Sequence, residues 1–140
     1  MPIVDKITSL QNDRIKAVRA LEMRKVRRRT GLFVAEGASV LIAAQEAAHV
    51  PETVVFQSDA LQNPSVAECV QWAAGQGAMC LPTSKAVLSK LSGKDNPQTV
   101  LGVFRQQWKA TPDAETLQSD ALWLALEEVR DPGNLGTIVR

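Results

Sequence analysis

Apolar positions in this chain recur with two periods, and the switching between them predicts the elements. Between Asn12 and Gly31, the residues Ile15, Val18 and Leu21 recur every three positions, which is one face of a helix. Asn12 or Asp13 can cap that helix through a side-chain oxygen, and Gly31 can end it. Four short apolar runs follow: LFVAEG (32–37), ETVVFQ (52–57), AMCLP (78–82) and TVLGVFRQ (99–106). Each predicts a strand. Between them lie helical stretches at 38–48, from Pro64 to the exit at Gly75 and Gly77, and at 84–93 with Thr83 or Ser84 as cap. Short strands alternating with helices imply a small layered α/β/α domain over residues 31–106. The basic helix before it, residues 1–30, reads as an extension. Residues 107–120 have no apolar periodicity and read as a linker. Residues 121–129, ALWLALEEV, predict a new strand that opens a second unit over 121–140.

Charge changes this picture more than composition does. The net charge is +1. From Arg14 to Arg29, however, eight cations (Arg14, Lys16, Arg19, Arg24, Lys25, Arg27, Arg28, Arg29) are opposed only by Glu22. That segment carries +7, so the rest of the chain carries −6. A chain polarised this way offers one face to polyanions. Few acids interleave Arg24–Arg29, so a phosphate-binding helix is favoured over a solvated, salt-bridged one. Acidic proteins and lipids are the other partners such a stretch could take. No aromatic residue interrupts it, so base stacking is not supported there.

Several function classes lack support. No apolar stretch reaches the roughly 20 residues that span a bilayer. The start, MPIVDKITSL, lacks the layout of a signal peptide. Cys69 and Cys80 fit no metal spacing and read as two reduced thiols of a cytoplasmic protein, with a disulfide between them as the alternative. Neither a Walker-type loop nor GxGxxG occurs. Glu127 and Glu128 are adjacent, so on a strand they face opposite ways and make a poor acid/base pair. His49, beside Pro51, reads as a surface or capping residue. Glu36 reads as a hydrogen-bonding group at a strand end, with RNA contact or the orienting of a basic residue as the alternatives. Trp72 and Trp123 read as packing residues, and Trp108 as the aromatic for an interdomain contact.

The string DPGNLGTIVR (131–140) carries the most specific chemistry. Pro132-Gly133 predicts a sharp turn. Asn134 is expected to cap a helix starting at Leu135, accepting the amide of Gly136 or Thr137. Gly136 and Arg140 are four apart and share a face. Helical side chains lean toward the N-terminus, so the Arg140 guanidinium would reach back over Gly136 toward the turn. Free amides of the helix start lie there too. Cation and amides together suit an oxyanion or phosphate. The plain alternative is a β-turn-α connection with a solvent-facing arginine.

EEVRDPGNLGTIVR resembles the first motif of the SpoU (TrmH-type) RNA 2′-O-ribose methyltransferases. ITSLQNDRIKAVRAL, GLFVAEG and DNPQTVLGVF resemble that family's substrate-binding domain. Thr99 stands where glycine is common, a departure that touches only that turn. The resemblance spans essentially the whole chain. It implies a small α/β RNA-binding domain similar to a ribosomal-protein fold, joined to the first β-turn-α of a knotted methyltransferase domain. It also implies methyl transfer from S-adenosyl-L-methionine to a tRNA or rRNA ribose, by a homodimer. Asn134 and Arg140 would be active-site residues. Asn12, Arg14, Lys16, Arg24, Lys25, Arg27, Arg28 and Arg29 would hold RNA. The motifs for the knot and the S-adenosylmethionine pocket have no match within these 140 residues, so the cofactor site is expected outside them. The chain then reads as a truncated enzyme, inactive alone. The alternatives are a stand-alone RNA-binding module and a protein-interaction domain.

Overall fold

The four apolar runs form one sheet, each pairing with partners far away in sequence. In the computed structural model, which describes residues 5–92, 96–113, 115 and 117–139, the helices are α1 (Asp13–Ala20), α2 (Arg24–Thr30), α3 (Ala38–Glu46), α4 (Pro64–Gly75), α5 (Lys85–Ser92) and α6 (Pro132–Val139). The strands are β1 (Leu32–Glu36), β2 (Thr53–Gln57), β3 (Met79–Thr83) and β4 (Val100–Arg105). Their order across the sheet is β1-β4-β2-β3. β4 runs antiparallel to both neighbours, with Val34 opposite Val103 on one side and Val55 opposite Leu101 on the other. β2 and β3 are parallel, with Val55 opposite Leu81. Ile7 adds a parallel bridge to Thr83, its amide donating to the Pro82 carbonyl at 2.8 Å.

Alternation along the strands feeds two cores. Val55, Leu81, Leu101 and Val103 face one way and meet Ile15, Val18 and Leu21 together with Val87, Leu88 and Leu91. Val54, Phe56, Cys80, Val100 and Phe104 face the other way, against Leu41, Val66, Cys69, Val70 and Ala73. Period-two strands between period-3.6 helices give this three-layer arrangement. Burying one such leucine or valine contributes about 1.5–3 kcal/mol.

Two glycines are required by geometry. A Cβ on Gly102 would lie 2.6 Å from the Phe104 ring and 2.9 Å from a Leu41 methyl, so its absence lets α3 approach β4. Gly37 turns the chain from β1 into α3 at φ 108° and ψ 149°, a region essentially reserved for glycine.

Three expectations are corrected. The basic helix is two helices, because the chain turns at Leu21-Glu22-Met23 through short i→i−3 bonds. It is not an extension beside the α/β domain either, since Ile15, Val18 and Leu21 belong to the core. Residues 121–129 form no strand, because no other described strand pairs with them and a strand needs its ladder partner. The chain divides after Gln107 into two units. In the second, every described residue is exposed except the half-buried Gly136.

Candidate nucleic-acid interface

Asn12 opens this surface by capping α1. Its Oδ1 accepts the Arg14 amide at 3.0 Å and the Ile15 amide at 3.4 Å. The predicted cap is therefore present, and that oxygen is committed to backbone. The stripe of Ile15 and Val18 pins α1 to the core. Lys16 lies on its exposed side and pairs with Asp13 at 3.7 Å. Arg14 lies elsewhere, beside a largely apolar hollow that includes Leu32, Glu52 and Met79.

The turn into α2 is held by Arg27. Its Nη1 donates to the Leu21 carbonyl at 2.8 Å and to the Glu22 carbonyl at 2.6 Å. A charged donor on carbonyls at a helix C-terminus also complements the helix dipole. Gly31 ends α2 at φ 69°, its amide donating to the Arg27 carbonyl. At about 100° per residue, Arg24, Arg28, Lys25 and Arg29 fall within an arc of roughly 140°, with Val26 near 200° and Arg27 near 300°. Val26 packs on the core and Arg27 braces the turn. The other four are exposed and line one open depression. Of the eight residues expected to hold RNA, the fold thus gathers Arg24, Lys25, Arg28 and Arg29. It separates Arg14 and turns Arg27 inward.

Glu36 accepts the Ser92 hydroxyl at 2.8 Å, the strand-end hydrogen bond expected of it. His49 is exposed, with Nε2 3.1 Å from the Gln107 amide oxygen. Cys69 and Cys80 are free, buried thiols. Burial pushes both thiols up, and Glu68 adds to the effect at Cys69. Among the described residues no cluster of His, Cys, Asp or Glu could hold a metal ion, and no helix is long and apolar enough to cross a membrane.

In the second unit the helix start differs from expectation. α6 begins at Pro132, not Leu135, and Asp131 is its cap: Oδ1 accepts the Gly133 amide at 2.6 Å. Proline is preset for the first helical position and has no amide to satisfy. Asp-Pro was the sequence signal for this. Asn134 lies inside α6 and is exposed. Trp123, expected to pack, is 59 % exposed. Arg140 lies outside the described residues.

Comparison with known proteins gives this surface its context. Residues 12–102 match the MRM3-like substrate binding domain. An uncharacterized tRNA/rRNA methyltransferase of Synechocystis sp. is 32 % identical over 143 residues, covering 98 % of this chain and 48 % of the relative. A crystal structure of an RNA 2′-O ribose methyltransferase superposes with a TM-score of 0.72 at 32 % identity, covering 96 % of this chain and 50 % of that one. An AdoMet-bound rRNA methyltransferase from Sinorhizobium meliloti gives a TM-score of 0.65 at 32 % identity, covering 74 % and 37 %. The chain spans about half the length of the curated relatives it matches. It belongs to the MRM3-like substrate-binding domain family, within the SpoU (TrmH-type) RNA methyltransferases.

Proposed function

We propose that residues 5–107 hold RNA for methylation of a ribose 2′-hydroxyl. The observation that carries this reading is the convergence of Arg24, Lys25, Arg28 and Arg29 on one open face, in a domain whose family is defined by substrate binding. S-adenosylmethionine would supply the methyl group. Exposed residues with one half-buried glycine do not by themselves enclose such a cofactor, so no described residue from 108 to 139 is assigned to it.

By the family likeness, Asn134 and Arg140 serve the transfer site. A guanidinium stays protonated and has no acceptor atom. Its role here is to stabilise the developing alkoxide or clamp a nearby phosphate, rather than to abstract the proton. In a methyltransferase carrying this chain, Arg140→Lys then loses rate; full rate would count against the forked contact. The homodimer and the cytoplasmic setting belong to the same proposal, and sedimentation of the active enzyme tests the dimer.

The direct test is titration of the 140-residue chain with tRNA and rRNA fragments over a range of salt. Four phosphate contacts give a slope of log K against log salt of roughly −3. Replacing Arg24, Lys25, Arg28 and Arg29 by Gln should flatten it. RNA binding that is absent, or indifferent to salt, would sink the reading. The 140-residue chain alone is proposed to bind RNA without methylating it, and methyl transfer by that chain with S-adenosylmethionine would overturn this.

A further inference from the structure

The four exposed cations of α2 form two rows. Arg24 and Arg28 stand one turn apart, as do Lys25 and Arg29. Helical neighbours at this spacing are about 5–6 Å apart at Cβ, so each row presents a short line of positive charge. Both rows border one depression. Their orientation is fixed, because Val26 anchors one side of the helix and Arg27 ties its first turn to the carbonyls of Leu21 and Glu22.

Proteins that grip single strands add aromatic platforms on which bases stack. No Phe or Trp among the described residues of 5–107 is exposed, and the exposed Trp108 belongs to the second unit. Phe56 and Phe104 are buried, while Phe33 and Trp72 are half-buried and packed against the second core. A-form RNA is recognised instead through shape, phosphates and 2′-hydroxyls, and its deep major groove is narrow. Narrowness brings the phosphate ridges of the two strands close together. Two parallel rows on one helix can hold one ridge each, whereas a single strand has one ridge to offer.

We infer that α2 docks on double-helical RNA, with the Arg24/Arg28 row on one strand and the Lys25/Arg29 row on the other. The inference rests on the RNA-binding reading above and names the form of RNA it selects. The target nucleotide would lie beside a stem that this domain grips by its backbone.

The experiment compares a blunt hairpin with an unstructured strand of the same phosphate count, by fluorescence anisotropy of the 140-residue chain at fixed salt. The hairpin should bind about ten-fold tighter, in keeping with the additional phosphates engaged. Neutralising either row alone (R24Q with R28Q, or K25Q with R29Q) should bring hairpin affinity down to the single-strand level. These side chains are exposed, and circular dichroism checks that the fold survives. Equal or tighter binding of the single strand would overturn the duplex inference while leaving RNA binding intact. Binding of neither RNA would overturn the functional reading itself, and this inference with it.

Discussion

Residues 5–107 and residues 108–139 are both supplied with apolar side chains, yet among the described residues only the first region builds an interior. LFVAE in β1 and ALWLALEEV at 121–129 are comparable apolar runs. β1 finds β4, and through it the whole sheet. Residues 121–129 find no ladder partner among the described residues, and Leu122 and Leu124 are 97 % and 69 % exposed. An apolar run is thus only an offer of burial. It becomes a strand when other segments satisfy its amides and carbonyls and cover its faces.

Paired substitutions put that contrast to the test. The largest effect is expected from Leu81→Ala, which empties a fully buried site in the first core and should destabilise by about 2–5 kcal/mol in urea unfolding. Leu124→Ala should leave the same midpoint unmoved. A comparable loss from Leu124→Ala would mean that the second region has an interior of its own. Next comes Gly102→Ala, whose new methyl meets Phe104 and Leu41 and should cost about 1–3 kcal/mol. Gly136→Ala meets nothing within 4 Å and lies in a helix interior, so it should raise helicity slightly in the far-ultraviolet spectrum.

Arg27→Ala removes the brace between α1 and α2 and should cost about 1 kcal/mol. Arg130→Ala breaks only an exposed pair with Glu128 and should shift no midpoint. The smallest effect has the opposite sign. Ala48 holds φ 54° where α3 ends, with the His49 amide donating to the Ala44 carbonyl at 2.7 Å and the Ala48 amide to that of Gln45. Glycine is the usual residue in this left-handed closing turn. Ala48→Gly should therefore raise the thermal midpoint slightly, since a left-handed L-residue costs roughly 1–2 kcal/mol and the chain entropy of glycine offsets part of that gain. Glu128, at φ 53°, follows no helix, and Glu128→Gly should leave the midpoint alone.

Much of the first region was legible because its strands are apolar runs bounded by turn residues. The cap at Asn12, the stop at Gly31 and the start at Pro64 were legible as local chemistry. The break between α1 and α2 was not. In a straight helix Val26 would fall within roughly 20° of Ile15, so a continuous stripe and a bent pair satisfy the same periodicity. No Gly or Pro interrupts Leu21-Glu22-Met23. The brace from Arg27 that holds the bend is visible only in three dimensions, because by charge alone Arg27 is indistinguishable from its exposed neighbours. The four cations that do share a face were among those picked from sequence. What sorts them from Arg14 and Arg27 is the direction fixed by Val26 and the core. At α6 the reading from sequence placed the cap at Asn134, whereas Asp131 caps the helix and Pro132 takes its first position.

The place of β4 in the sheet has a consequence for the order of events during synthesis. β4 is the last of the four strands to leave the ribosome, yet it lies inside the sheet and is, among the described residues, the only strand partner of β1. At about 5–20 residues per second, β1 waits for some 70 residues to be added before its partner arrives, a delay of several seconds or more. Until then the emerging chain can pair β2 with β3 and form its helices, but it cannot close either core. The basic helices pack on α5 and β1, but the core beneath them is complete only once Leu101 and Val103 of β4 join it.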